Sequence, residues 1–430
     1  MGKVSFLAAL LLLAAREQDD STKQARESIR TDDLKDHVRV LAGDDYEGRN
    51  AGMEGSEKAA AYVESKFKEY GLSPAVGGGY RQTFSFLVRN DGERRTTVFR
   101  KQAETCNVIG EIRGREKPEE FVVVGAHYDH VGKRGQWNPG RRNQKKIKDD
   151  EVWNGADDNA SGVAGLLELA QAFSALKPRR TVVFVAFGAE EHGLKGSEWY
   201  RFHPARPLEN TGLMANLDMI GRAPAAGVQI HGTGTAAGLR AMVQKAVAEN
   251  ELQAQLFDFG DIREPDSDHL WFYGAGIPTL FFFSGLHEDY HEPTDHIEKL
   301  DFASMEKTTR TAFRVVWSAA EAPEKLAFEA GRRLGIVEFG PLDETSTTQH
   351  LKLPKGQGAL WVMDVRAGSP AAAAKFQPFD FLVEFNGKPL PQVDPRRVLN
   401  RLIDEAPAGQ TIPVVVIRKG KREELKLQFP

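Results

Sequence analysis

From residue 119 to residue 322 the chain alternates short, continuously apolar runs with amphipathic stretches. "EEFVVVGA" (119–126) precedes "SGVAGLLELAQAFSALK" (161–177), and "TVVFVAF" (181–187) precedes "GSEWYRFH" (196–203). "GLMANLDMI" (212–220) precedes "TAAGLRAMVQKAVAENE" (235–251), and "IPTLFFFSG" (277–285) precedes "FASMEKTTRTAFRVVWSAAEA" (302–322). Strands that are apolar at consecutive positions are buried on both faces. Their alternation with helices predicts an α/β fold with a mostly parallel central sheet flanked by helices. Ahead of this region, residues 33–72 read as two helices, one ending near Gly43 and one at Gly71 before the breakers "SPAVGGG". The polar, basic stretch "RGQWNPGRRNQKKIKDD" (134–150) reads as a solvated insertion.

After residue 322 the pattern changes to short strands: "LGIVEF" (334–339), "ALWVMDV" (359–365), "FLVEFNG" (381–387), "TIPVVVIRKG" (411–420) and "EELKLQF" (423–429). Gly and Pro separate them, and one helix reads "PRRVLNRLID" (395–404). This predicts a small, mainly-β domain over 323–430 after an α/β domain over 33–322. At the other end, one lysine precedes an apolar run from Val4 to Ala15. Such a run is too short to span a bilayer and suits a signal-peptide core. Residues 1–15 are therefore expected to be a signal peptide and 16–32 a linker, which makes the protein exported, periplasmic or extracellular. No later stretch approaches transmembrane length, so no span is expected in the mature chain.

At 430 residues two domains are the expectation, and 41% apolar content describes a globular chain. Lys plus Arg number 57 against 61 Asp plus Glu, a net charge of −4. That balance offers no electrostatic footprint for nucleic acid. The single cysteine, Cys106, excludes an internal disulfide and a thiolate zinc cluster, so any metal must be held by His, Asp and Glu.

The chemistry gathers where the apolar runs end. In an open α/β sheet, ligands bind beyond the carboxyl ends of the strands. The first run delivers His127, Asp129 and His130, the second Glu190 and Glu191, the third Asp218, and the fourth His287 and His291. "NGADDNASG" adds Asp157 and Asp158 just before a helix start, where either could instead be a cap. Taken alone, an adjacent Glu pair is a solvated loop. Donors from several separate strand ends define a metal site. Imidazoles and carboxylates without thiolate suit zinc. The donors outnumber what one tetrahedral ion can use, which points to two ions sharing a carboxylate. The Glu190–Glu191 pair then makes sense: one binds metal, and its neighbour stays free to take a proton from water.

The blocks "GAHYDHVG", "NGADDNASG", "GAEEHGLKGS", "NLDMIG" and "LHEDYHEPTDHIEKLD" resemble the signature of the co-catalytic dizinc aminopeptidases. Relatives of that family include secreted leucine-type aminopeptidases and glutamate carboxypeptidase II. The resemblance covers about residues 33–322. It implies a zinc-dependent exopeptidase that removes N-terminal residues from peptides. His127 and Asp218 would bind one zinc, Glu191 and His291 the other, and Asp158 would bridge, favoured over Asp157 by alignment on "NASG". Asp129 would hydrogen-bond the His127 imidazole. Glu190 would be the general base, passing its proton to the leaving amine. Tyr290 matches a position that donates to the oxyanion in some relatives, while His130, His192, His269 and His287 are expected to be structural. A carboxypeptidase, a cyclase of the same fold and a non-catalytic scaffold are the alternatives. The full ligand set argues against the last two.

"RLGIVEF", "VRAGSPAAAAKF" and "VEFNGKPL" resemble a PDZ domain of the bacterial HtrA-like arrangement. That implies a peptide ligand adding a strand at a sheet edge, its carboxylate held by the loop Leu334, Gly335 and Ile336. Phe379 stands where the family usually has Gly before the Asp.

Overall fold

The computed structural model describes residues 20–90, 99–136, 150–259, 266–329, 334, 336–365, 369–407 and 409–429. The expected signal peptide (1–15), most of the basic insertion and Gly335 lie outside the described residues. Two compact units are formed. The first comprises the chain through Ile230 with Ala237–Gln255 and Ser267–Phe328; the second comprises His231–Ala236, Leu256–Asp266 and the chain from Glu329.

The first unit opens with a helix, α1, at residues 20–27. It lies within the stretch 16–32 that was expected to be a linker. Thr22, Ala25 and Ile29 are buried, and Arg310 donates to the carbonyl of Ile29 at 2.8 Å. Apolar residues spaced four apart on a short polar segment are enough to dock it. Helices α2 (Thr31–Leu41) and α3 (Glu54–Glu69) follow. On α2 the buried Leu34, His37, Val38 and Leu41 form one stripe at helical spacing.

Strands β1 (Ser73–Pro74), β2 (Arg81–Asn90), β3 (Phe99–Ile112) and β4 (Lys117–His127) lead to helix α4 (Gly162–Ser174) and β5 (Arg180–Phe187). Next come α5 (Lys195–Phe202), β6 (Thr211–Leu217), β7 (Val228–His231), α6 (Leu239–Glu249) and β8 (Ala254–Leu256). Helix α7 (His269–Gly274), β9 (Thr279–Phe283) and α8 (Phe302–Glu321) complete the unit. The sheet order is β1-β3-β5-β4-β6-β9-β7-β8, with β2 on β3. The pairs β4–β5, β4–β6 and β6–β9 are parallel, as the apolar runs predicted. Every residue of β5 is buried, which explains its unbroken hydrophobicity. The antiparallel β2–β3 pair was not read from the sequence. Its polar strands lack a continuous apolar run, although Phe84 and Phe86 alternate into the interior.

The second unit holds an antiparallel sheet of β10 (Ile336–Pro341), β11 (Leu360–Val365), β12 (Phe381–Phe385), β13 (Lys388–Pro389), β14 (Thr411–Arg418) and β15 (Lys421–Gln428). The order is β10-β11-β12-β14-β15, so β10 is an edge. A short helix α9 (Pro370–Ala373) and α10 (Pro395–Glu405) accompany the sheet. Leu334, Ile336, Leu360, Leu382, Leu399 and Val414 are among the residues of one core. Phe379 has φ 73° and its side chain is 69% exposed. Glycine takes this backbone conformation at no steric cost, which is the physical reason for a Gly there. The next residue, Asp380, is buried, accepts from the Gln377 amide at 2.9 Å and pairs with Arg418 at 2.7 Å.

Candidate metal centre

The four parallel strands β5-β4-β6-β9 end on one rim. Pairing of His127 with Phe187, of Gly125 with Asn216 and of Leu217 with Phe282 fixes the alignment of their exits. His127 closes β4, Asp218 follows β6, and Glu190 and Glu191 follow β5. Asp158 precedes α4, and His291 lies on the loop after β9.

These residues form two donor groups that share Asp158: His127, Asp158 and Asp218, and His130, Asp158, Glu191 and His291. Asp158 Oδ1 lies 3.4 Å from His127 Nε2, which is 3.3 Å from Asp218 Oδ1. Its other oxygen, Oδ2, lies 3.1 Å from His291 Nε2, which is 3.1 Å from Glu191 Oε2. Ligands about 2.1 Å from a tetrahedral zinc are about 3.4 Å from one another, so these spacings fit the ion. The donor set, imidazole and carboxylate only, fits it too.

The electrostatics agree. Burial works against a charged His127, but Asp218 and Glu190 hold its pKa well above the ordinary value. Burial likewise opposes charge on His291, yet Glu191 and Asp158 push it up to about 11. Burial would raise the Glu191 carboxyl, but His291 and His130 bring it down to about 2. The carboxylates demand positive charge at this rim, and a divalent cation would supply it. Glu190 belongs to neither donor group and is partly exposed. Desolvation of its carboxyl, with Glu191, Asp268 and Asp218 nearby, holds its pKa well above 4.5 against the opposing pull of His127.

Other residues singled out in the sequence fall as follows. Asp157 faces away from both groups: Oδ1 accepts from the Gly221 amide at 2.6 Å, and Oδ2 lies 3.2 Å from His287 Nε2. The Asp129 carboxylate does not make the expected hydrogen bond to His127. Its Oδ1 is 3.8 Å from Nδ1, whose nearest partner is the Asp129 backbone carbonyl at 3.1 Å. The carboxylate instead accepts from the amides of Glu190 at 2.9 Å and Glu191 at 3.3 Å. The turn after β5 presents two unpaired peptide N–H groups to a buried acid, and these hold it. His130 Nδ1 lies 2.9 Å from Glu191 Oε1, closer to the centre than its expected structural role suggested. His192 contacts Asn50 Oδ1 at 2.9 Å, and His269 is buried and stacked on Phe281. Tyr290 stacks on His291 with ring centroids 3.8 Å apart.

Several supporting residues were not identified from the sequence. Ser267 donates to Asp218 Oδ2 at 2.7 Å and accepts from Asn216 Nδ2 at 2.9 Å. Asn216, near the end of β6, lies two residues before Asp218, so the period-2 face offered a signal. Arg49 is buried and donates to the carbonyls of Leu41, Tyr128, Asn154 and Gly155 at 2.6–2.9 Å. Burial lowers its pKa to about 10.

Residues 107–316 match the profile of Peptidase family M28, and residues 339–429 that of the PDZ domain. Aminopeptidase YwaD of Bacillus subtilis is 26% identical over 319 residues, covering 69% of this chain and 65% of that protein. An aminopeptidase of Pseudomonas aeruginosa is 33% identical over 195 residues, 44% of this chain and 32% of its own. A "Probable zinc metalloprotease" of Pyrenophora teres f. teres is 28% identical over 211 residues, 48% of this chain and 42% of its own. The chain thus spans under two thirds of the length of each of these relatives. Among solved structures, an aminopeptidase from Aneurinibacillus sp. strain AM-1 superposes with a TM-score of 0.54 at 18% identity, covering 73% of this chain and 99% of that one. The zinc aminopeptidase BSAP of Bacillus subtilis gives 0.53 at 17%, covering 70% and 98%. These two share the fold of the first unit. Residues 107–316, just under half of the chain, thus match peptidase family M28, and a PDZ-domain match follows in the same chain.

Proposed function

We propose that this chain is a zinc-dependent aminopeptidase that uses two ions. The observation that carries the proposal is Asp158, whose two oxygens face separate donor groups at 3.4 and 3.1 Å. His127 and Asp218 would hold one ion and Glu191 and His291 the other, with Asp158 shared between them. When bound there, zinc supplies Lewis acidity toward the scissile carbonyl and makes water a stronger acid. Glu190, free of both donor groups, takes the proton of the attacking water and delivers it to the leaving amine. Its raised proton affinity suits that exchange. Asp129 holds the Glu190 amide and so aims the base. His130 donates to Glu191 Oε1, leaving Oε2 for the metal side. Tyr290, beside His291, is the candidate donor to the oxyanion. The names of the relatives from Bacillus and Pseudomonas support removal of N-terminal residues.

Around this centre we place a leader over 1–15, with export to the periplasm or outside, a peptidase domain over 33–322 and a PDZ domain over 323–430. The apolar run Val4–Ala15 supports the leader. Among the described residues no helix is long and apolar enough to cross a membrane. The PDZ ligand would be a peptide C-terminus beside the edge strand β10, with its carboxylate at Leu334, Gly335 and Ile336. A panel of aminoacyl-nitroanilides, assayed with and without chelator beside N-blocked peptides, tests the activity. Chelator-sensitive cleavage of free-amine substrates only is expected. Turnover of the blocked peptides, or of nothing, would overturn the assignment.

A further inference from the structure

Asp158 spends both carboxylate oxygens on its two donor groups, so neither is left to fix the side chain. Its own backbone, at φ −105° and ψ 96°, interrupts the helical turn of residues 156–161. The peptide is held by Asp295. Its Oδ2 accepts from the amides of Asp157 at 2.9 Å and Asp158 at 3.1 Å, and its carbonyl accepts from Ala156 at 3.0 Å. Asp295 is fully buried and belongs to neither donor group. Arg49 also grips the carbonyls of Asn154 and Gly155 at 2.7 and 2.9 Å.

The same construction occurs at the other acid pair. There, Asp129 accepts from the consecutive amides of Glu190 and Glu191, and it too is fully buried and outside both donor groups. Both adjacent acid pairs, Asp157–Asp158 and Glu190–Glu191, are thus anchored by a non-ligand aspartate through their own N–H groups.

We infer that Asp295 is a positioning residue for the shared ligand Asp158, anchoring the peptide that aims both of its oxygens. Because Asp295 lies four residues beyond His291, one loop both supplies a metal ligand and sets the direction of another. The inference rests on the two-ion reading above.

The test is zinc titration of the full chain by calorimetry, with cobalt(II) absorption as a second readout of ligand geometry. Wild type, Asp295→Ala and Asp295→Asn are compared. Loss of an outer partner of a ligand weakens metal binding by about 10–100-fold, the result expected for Asp295→Ala together with an altered cobalt spectrum. The amide oxygen of Asp295→Asn can still accept both N–H groups, so affinity within about threefold of wild type is expected. Should Asp295→Ala fail to fold, Asp295→Ser, too short to reach both amides, takes its place. Wild-type affinity in the acceptor-deleted variant overturns the inference, as does an equal loss in Asp295→Asn. Failure of the wild type itself to bind zinc would instead overturn the metal reading.

Discussion

Replacing Glu190 by Gln separates the base from the metal ligands. The exchange preserves shape, and the Glu190 amide that Asp129 holds at 2.9 Å is a backbone group and is unaffected. The side chain lies outside both donor groups, so zinc content should equal that of wild type. What is lost is a carboxylate whose proton affinity is raised by desolvation and by neighbouring acids, which suits a base. General-base catalysis contributes about 10²–10⁴ in rate, or about 2.7–5.4 kcal/mol of barrier. Steady-state kinetics on leucine-nitroanilide should show kcat reduced by that factor, with KM within about threefold. Metal analysis of the same preparation completes the assay. A variant that keeps more than about a tenth of wild-type kcat, or that loses zinc, would refute the assignment of Glu190 as a free base.

Asp158→Ala should lose both ions, because its oxygens serve both donor groups; full zinc retention by elemental analysis would move the bridge elsewhere. Burial lowers the His192 pKa to about 4. The unfolded chain therefore takes up a proton near pH 6.5 that the folded chain refuses. Stability falls as pH drops from about 6.5 to about 4, by about 3 kcal/mol in total. His192→Gln should flatten that part of the urea-denaturation pH profile, and an unchanged slope would count against it. Phe379→Gly should stabilise the PDZ unit by about 1 kcal/mol. It relieves about 1–2 kcal/mol of left-handed backbone strain and gives back part of that as glycine's unfolded-state entropy. A lower midpoint in guanidinium denaturation would show that the exposed ring contributes more than its backbone costs.

The positions of the site follow from one-dimensional information. Runs of buried residues mark parallel strands, and parallel strands put whatever follows them on a common rim. His127, Glu191, Asp218 and His291 could therefore be placed together from the sequence alone. The change of pattern after residue 322 likewise announced a second, antiparallel unit. The β2–β3 pair escaped because a strand at a sheet margin alternates polar and apolar residues weakly, and docking of 20–27 rests on very few apolar contacts.

Other features only the tertiary structure decided. Whether Asp157 or Asp158 is shared depends on which way two adjacent side chains turn, and backbone dihedrals around residues 156–161 set that. Asp129 was legible as important but not as the acceptor for the Glu190 and Glu191 amides. Asp295, Arg49 and Ser267 left no local mark, because their partners lie far along the chain: 137 positions separate Asp158 from Asp295, and 105 separate Arg49 from Asn154. Sequence fixes which donors a strand end carries. The direction in which each donor points is set by hydrogen bonds between distant segments, and those exist only once the chain has closed on itself.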